Sequence, residues 1–228
     1  MKIRFIINPI AGTGKQKGIE KVISNTLNNQ YDIVYTQKQD DATLLSKKAI
    51  LDKINIVIAV GGDGTVNECA KALIGSDTAL GIIPCGSGNG FAYHFGIKKN
   101  IQEALIQLNY CKVKCIDSCT VNEFPFVNIS GIGFDAHIAK LFTKMKKRGF
   151  MNYVKIILQE LMYKSKTYKL IYNGVTRNVD AYFIAFANAS QYGNDAIISS
   201  TSIIDDGVID FVIVKKFPRW KIPLFLYK

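Results

Sequence analysis

The apolar stretch Ile54-Asn55-Ile56-Val57-Ile58-Ala59-Val60 leads directly into Gly61-Gly62-Asp63-Gly64-Thr65, and this junction constrains the fold more than any other. A short, β-branched, nearly uncharged segment is what a strand buried on both faces of a parallel sheet requires. Three glycines at its carboxyl end let the backbone turn tightly and approach a ligand without a side-chain clash. From Thr65 to Leu73 the pattern predicts a helix. Strand, glycine turn and helix amino terminus together form a cradle for an anion, because free amides and the helix dipole both favour negative charge there. Asp63 sits within that cradle. A carboxylate among phosphates repels them unless it holds a cation or handles a proton. It could also serve only as a turn residue or helix cap. Thr65 and Asn67 offer the same choice between facing the anion and starting the helix.

The surrounding chain repeats the alternation. Strands are predicted at Lys2 to Ile7, Tyr31 to Thr36 and Thr78 to Pro84, with helices at Gln16 to Leu27 and Ala42 to Leu51. Alternation of this kind gives right-handed crossovers and a doubly wound parallel sheet, whose ligands collect at the carboxyl ends of the strands. Three glycine-containing turns fall at such ends: Asn8-Pro9-Ile10-Ala11-Gly12, Gly61 to Thr65, and Pro84-Cys85-Gly86-Ser87-Gly88-Asn89.

Beyond about residue 111 the texture changes. Lys112 to Val121 and Phe124 to Ile129 read as paired strands, and Phe134 to Lys164 as a helical, basic arm. Tyr168 to Tyr172 and Asn178 to Ala187 flank Asn173-Gly174, a hairpin signal. Val208 to Val214 reads as a further strand after the Asp205-Asp206-Gly207 turn. The expected organisation is an α/β domain over 1–120 and a β-rich domain over 121–228, with the helical arm inserted at about 135–165. The chain stops within the apolar segment Pro218 to Lys228, which reads as a truncation.

With 48% hydrophobic and 21% charged residues, the 228-residue chain has the composition of a folded protein. No apolar stretch reaches the ~20 residues of a membrane-spanning helix. The amino terminus reads as a strand rather than a signal peptide, which places the protein in the cytoplasm. Cys111, Cys115 and Cys119 are read as small buried hydrophobes rather than metal ligands, since no CxxC pair accompanies them. His94 and His137 are read as structural. The net charge of +11 is concentrated: residues 140–169 hold nine basic residues against one acid, Glu160. Such a patch suits an anionic membrane face, where each basic residue contributes about 1 kcal/mol. It equally suits a solvated helix face. Without interleaved recognition motifs it does not indicate nucleic acid.

Walker A and dinucleotide patterns both fail. Gly12-Thr13-Gly14-Lys15 lacks the required glycine at Pro9 and the hydroxyl at Gln16, and no GxGxxG is complete. Instead, Gly61-Gly62-Asp63-Gly64-Thr65-Val66-Asn67-Glu68 resembles the signature of the diacylglycerol kinase catalytic domain, found also in sphingosine, ceramide and bacterial lipid kinases. NAD kinases carry a close version of its core. Asn8 to Gly12 is similar to that family's first nucleotide loop, and Pro84 to Ala92 to its second glycine motif. Asn128 to Ala136 is similar to the segment leading into its second domain, and the likeness continues through Tyr192-Gly193 and Asp205 to Asp210.

The resemblance implies a fold like that of NAD and diacylglycerol kinases, and transfer of phosphate from ATP to a lipid hydroxyl. It implies ATP contacts at Asn8, Pro9, Ile10, Ala11, Gly12, Thr36, Gly61, Gly62, Asp63, Gly64, Thr65, Val66, Asn67 and Ser87. It also implies a magnesium site built from the Asp206 carboxylate and the carbonyls of Ile203 and Val208. A turn-only role for Asp206 stands beside that reading. Implied partners are a lipid substrate and an anionic membrane met by the arm at 140–169, so the protein would lie against the inner membrane face. Exposed strands of the second domain could pair in a homodimer. The sequence departs from the family pattern at Ser87, where threonine is usual, and at Gly90, where an acid is common. Asn194-Asp195 stands where two glycines are usual, and the Asp-Gly-Glu segment carrying the implied general base would follow Lys228. An NAD kinase and a non-catalytic nucleotide-binding module are the competing readings.

Overall fold

A computed structural model describes residues 1–215 apart from Thr13, Lys15, residues 146–148, Leu161 and the side chain of Phe150. The apolar terminal segment from Pro218 and part of the basic arm therefore lie outside the described residues.

The first half contains β1 (Lys2–Ile7), α1 (Ile19–Thr26), β2 (Gln30–Tyr35), α2 (Asp41–Leu51), β3 (Ile56–Gly61), α3 (Asp63–Leu73), β4 (Ala79–Pro84), α4 (Gly90–His94) and α5 (Ile101–Leu108). All four strands are parallel, in the order β2-β1-β3-β4. The period of two along each strand divides the apolar side chains between two cores. Phe5, Ile7, Ile58, Val60 and Ile83 pack with Ile19 and Ile23 of α1 and Leu105 of α5. Ile6, Val57, Ala59 and Ile82 face the other way, against Ala42 and Ala49 of α2 and Val66, Cys69 and Leu73 of α3. The sheet is thus doubly wound. The chain leaves β1 toward β2 on one side and returns to β3 on the other, so the switch point lies between the carboxyl ends of β1 and β3.

The second half is β-rich, with β5 (Cys119–Val121), β6 (Phe124–Phe126), β7 (Ile129–Gly133), α6 (Phe134–Thr143), α7 (Phe150–Gln159), β8 (Lys166–Tyr172), β9 (Val175–Ala181), β10 (Phe183–Ala187) and β11 (Asp210–Val214). Its strands form the antiparallel sheet β11-β10-β7 and the hairpins β5-β6 and β8-β9. A third core joins Phe134 and Ile138 of α6 to Ile156 of α7 and to Tyr182. The apolar face of α7 is thereby used in packing.

Several expected boundaries move, each for a local reason. The helix predicted from Gln16 begins only at Ile19, because buried Gln16 donates to the carbonyls of Asn8 (2.8 Å) and Ala11 (3.2 Å) and belongs to the preceding loop. The helix predicted from Thr65 begins at Asp63, with the Gly62 carbonyl accepting the Val66 amide. Only Cys119–Val121 of the strand expected from Lys112 forms. The run expected from Phe124 to Ile129 divides at Val127, whose carbonyl is taken by the Asn188 side chain at 2.9 Å. The run expected from Asn178 to Ala187 divides at Tyr182, whose amide bonds Val214 and whose carbonyl accepts from Phe134. The strand expected from Val208 starts at Asp210, because the Val208 amide is turned back onto the Asp206 carboxylate. Within the basic arm the described residues form two helices, α6 and α7. Of the cysteines, Cys69 and Cys85 are buried, but Cys111 and Cys115 are exposed and Cys119 is half-buried, so the buried-hydrophobe reading fails for those three. The Asn173-Gly174 turn forms as expected, with both residues at positive φ (48° and 76°) and Tyr172 opposite Val175.

Candidate functional site

The turns after β1, β3 and β4 meet at the carboxyl edge of the parallel sheet. The Asn8 side chain donates to Thr65 Oγ1 at 3.0 Å, and its Oδ1 accepts the Ile10 amide, so the first turn is tied to the first turn of α3. Gly12, at φ 54°, lies so close to Cys85 that a Cβ there would strike the Cys85 carbonyl. A Cβ on Gly86 would strike the Gly62 Cα. All three turns are in backbone contact, which only glycine permits at those positions. Thr36 and Thr65 are buried beside them, and the first amides of α3 have no partner within the helix.

Asp63 occupies the first position of α3 and reaches across to the third turn. Its Oδ2 accepts the Asn89 amide at 2.8 Å and its Oδ1 the Phe91 amide at 3.1 Å. Burial pushes its pKa up, and these amide bonds oppose the shift. Asn89, at φ 58°, completes the clamp: its side chain accepts from the Gly86 amide (2.7 Å) and donates to the Gly86 carbonyl and Tyr93 Oη. Asn89 was not singled out from sequence, although an asparagine between glycines is a recognisable turn signal.

Among the other expected contacts, Pro9, Ile10 and Ala11 lie in the first turn, with Ile10 exposed. Gly64 and Val66 lie in the first turn of α3, Gly64 exposed and Val66 buried in the core. Asn67 turns toward β6 and donates to the Pro125 carbonyl at 3.4 Å. Ser87 lies in the third turn, where its carbonyl accepts from Asn194 at 2.6 Å.

Ile203, Asp206 and Val208 lie on a separate, exposed turn. Asp206 Oδ1 accepts the Val208 amide (2.9 Å), while Asp117 Oδ2 accepts the Gly207 amide (2.7 Å). A carboxylate with backbone carbonyls would be an all-oxygen donor set, the chemistry of a hard cation such as magnesium. Asp117 has no flanking motif to mark it in the sequence. Among the described residues no three His, Cys, Asp or Glu side chains cluster as metal ligands.

The second domain closes over the third turn. Asn89 bridges to Gly193, and a Cβ on Gly90 would collide with the Gln191 carbonyl and Tyr192. His94 Nδ1 accepts the Ser190 amide at 3.1 Å, and burial, then the charge of Lys114, holds its pKa below the usual range. His137 meets Glu160 at 2.9 Å. Asn194 and Asp195 stand at φ 48° and 64°, so the backbone is left-handed at the two positions where the resemblance leads one to expect glycines. Asparagine and aspartate are the side chains that best tolerate that conformation.

Three glycine-containing turns meeting at the switch point of a doubly wound parallel sheet, beside a β-rich second half, define an α/β protein of the class whose ligands collect at that edge. Residues 2–121 match the diacylglycerol kinase catalytic domain, and residues 128–227 match the YegS C-terminal NAD kinase beta sandwich-like domain. The chain belongs to the diacylglycerol kinase catalytic domain family. It is 32% identical over 189 residues to a Chromohalobacter salexigens protein named "Probable lipid kinase YegS-like", covering 80% of this chain and 61% of that protein. It is 28% identical to a Mycobacterium tuberculosis diacylglycerol kinase, covering 97% of this chain and 75% of that protein. A diacylglycerol kinase structure from Bacillus anthracis str. Sterne superposes with a TM-score of 0.73 at 29% identity, covering 100% of this chain and 78% of that one. The chain thus spans under two thirds of the length of the first of these relatives.

Proposed function

We propose that this chain carries the ATP site of a lipid kinase that transfers the γ-phosphate to a lipid hydroxyl, of the diacylglycerol or sphingoid class. The observation that supports this most is the contact of three glycine turns around the amino terminus of α3, at the switch point of the sheet. Phosphoryl transfer needs positioning and neutralisation of spread charge rather than covalent chemistry. Amides of the turns and of the first turn of α3 hold the phosphate oxygens. Asp63 and Asn89 keep the third turn in the shape that presents those amides. A magnesium ion carried with ATP would supply charge neutralisation at the phosphates, and Asp206 with the carbonyls of Ile203 and Val208 are residues that would hold a further ion on their separate turn. The acceptor proton passes to a general base.

A lipid acceptor must be met at a membrane. Lys140 on α6, Lys144 just after it and Lys155 on α7 are exposed, and the β8-β9 hairpin exposes Ile171, Tyr172 and Val175 beside Lys169 and Arg177. Basic residues around an apolar tip suit an anionic bilayer face. Among the described residues no helix is long and apolar enough to cross a membrane. The test is incubation with labelled Mg·ATP and either diacylglycerol in mixed micelles, a sphingoid base, or NAD. Label in a lipid is the expected result. Label in NAD alone, or ATP binding with no transfer, would reject the proposal.

A further inference from the structure

A half-buried carboxylate lies beside the cradle, in the second domain, and the nucleotide does not account for it. Asp135 is at the second position of α6, where a carboxylate would normally point into solvent. Here it folds back over β7, so close to Gly131 that a Cβ there would meet its Oδ2 at 2.5 Å. Among the described residues its hydrogen-bond donor is the Tyr192 hydroxyl, at 3.2 Å, and no lysine, arginine or histidine forms an ion pair with it. Burial pushes its pKa up, and the Tyr192 bond opposes that shift. Tyr153 lies near enough that the Asp135 charge adds to the effect of burial, and its hydroxyl is raised to about 12. Asp135, Tyr153 and Tyr192 are each only partly covered, so the group borders solvent. A desolvated carboxylate without a cation is costly to the fold. The glycine below it and the phenol aligning it mark a prepared acceptor.

Its place relative to the cradle gives it a use. Tyr192 joins the two: its carbonyl lies 3.0 Å from where a Cβ on Gly88 would be, a point also 3.3 Å from Asp63 Oδ2. The Tyr192 side chain spans from that turn to Asp135. A head group held at Asp135 is therefore one tyrosine side chain from the phosphate turns, on the second-domain side where the acceptor must enter.

We infer that Asp135, aligned by Tyr192, positions the acceptor lipid by accepting a hydrogen bond from its free hydroxyl group. This rests on the lipid-kinase reading and adds the acceptor half of the site. It is a binding role; no proton transfer is assigned to Asp135.

The experiment compares wild type, Asp135→Asn and Tyr192→Phe with dioctanoylglycerol in mixed micelles and Mg·ATP. The acceptor KM should rise about tenfold in Asp135→Asn, the scale of one hydrogen bond to a charged group. In Tyr192→Phe it should rise about threefold, while the ATP KM stays within about twofold in both. An unchanged acceptor KM, or an equal rise in both KM values, overturns the inference and leaves the kinase reading intact. If wild type transfers no phosphate, the kinase reading falls, and calorimetric titration with dioctanoylglycerol decides the rest. Binding weakened about tenfold by Asp135→Asn supports the inference. Equal binding, or none by wild type, overturns it.

Discussion

The Asp63 carboxylate, on the first turn of α3, accepts the Asn89 amide at 2.8 Å across the gap between two glycine turns. The same carboxylate accepts the Phe91 amide, so the motif after β3 sets the shape of the motif after β4. The aspartate of the glycine turn is thus a clamp on the site as well as a charge within it. Replacing it with asparagine keeps its size but turns one acceptor oxygen into a donor facing an amide. Asp63→Asn should lose about 1–3 kcal/mol, the cost of an unmet buried amide, and lose most phosphate transfer. Urea unfolding and labelled-ATP transfer measure the two. Full stability with lost transfer would mean that the clamp is not its main role.

The contact between the turns after β3 and β4 can be opened separately. Gly86→Ala puts a methyl against the Gly62 Cα, and the turns must part to admit it. Overpacking of this kind costs about 1–3 kcal/mol. ATP affinity should fall more steeply than stability, because the displaced backbone carries the proposed phosphate amides. Calorimetric titration with Mg·ATP beside a thermal melt separates the effects.

Asp195 is at φ 64° and exposed, its carboxylate 3.7 Å from Lys99 and its carbonyl accepting the Ile197 amide at 2.9 Å, a bond that needs no side chain. Asp195→Gly should therefore change stability by less than about 0.5 kcal/mol. Asp195→Val forces a β-branched residue into left-handed backbone and should cost about 1–2 kcal/mol. Equal melting temperatures for the two variants would show that the turn relaxes freely.

Asp135 gives a pH signature. Burial raises its folded-state pKa above the unfolded carboxylate value, so between those two values the folded protein holds more protons than the unfolded chain. Stability is then greatest below the ordinary carboxylate pKa and falls as pH rises through the folded-state value. Asp135→Asn should flatten that fall. Melting curves of both proteins upward from about pH 4 check it; parallel pH profiles would contradict it.

Far from the site, Arg4 is buried and holds Asp32 through two hydrogen bonds (2.8 and 2.6 Å) and Asp52 through one (2.8 Å). Both acids are more than a third exposed, which discounts the loss expected from breaking a buried pair to about 2 kcal/mol. Arg4→Lys should recover little, since an ammonium cannot make the forked contact. ATP affinity should not change, and a calorimetric titration of the variant checks that.

The parallel sheet was legible because its strands are short β-branched runs followed by turns, and Ile6 against Phe5 and Ile7 already separates the two cores. The meeting of the three turns followed from the same alternation. The clamp of Asp63 on Asn89 was not legible: the two residues are brought together by the β3-β4 pairing, and nothing local distinguishes a carboxylate aimed at an amide from one aimed at a cation. Gln16 looked like helix because its burial depends on the carbonyls of a loop eight residues earlier. Asp117 meets Gly207 far along the chain, where spacing carries no signal, and Asp135 and Tyr192 lie in segments that resemble the family although nothing local shows their contact with each other. Asn194 and Asp195 seemed departures from glycine, yet they keep the backbone that glycine serves.

The central claim is that the triphosphate of ATP lies where the three turns meet. A crystal structure with a non-hydrolysable Mg·ATP analogue tests it most directly. The account predicts phosphate oxygens within hydrogen-bond reach of the first turn of α3 and of the amides at Ser87 and Gly88. A triphosphate bound elsewhere, with those amides facing only water, would contradict it.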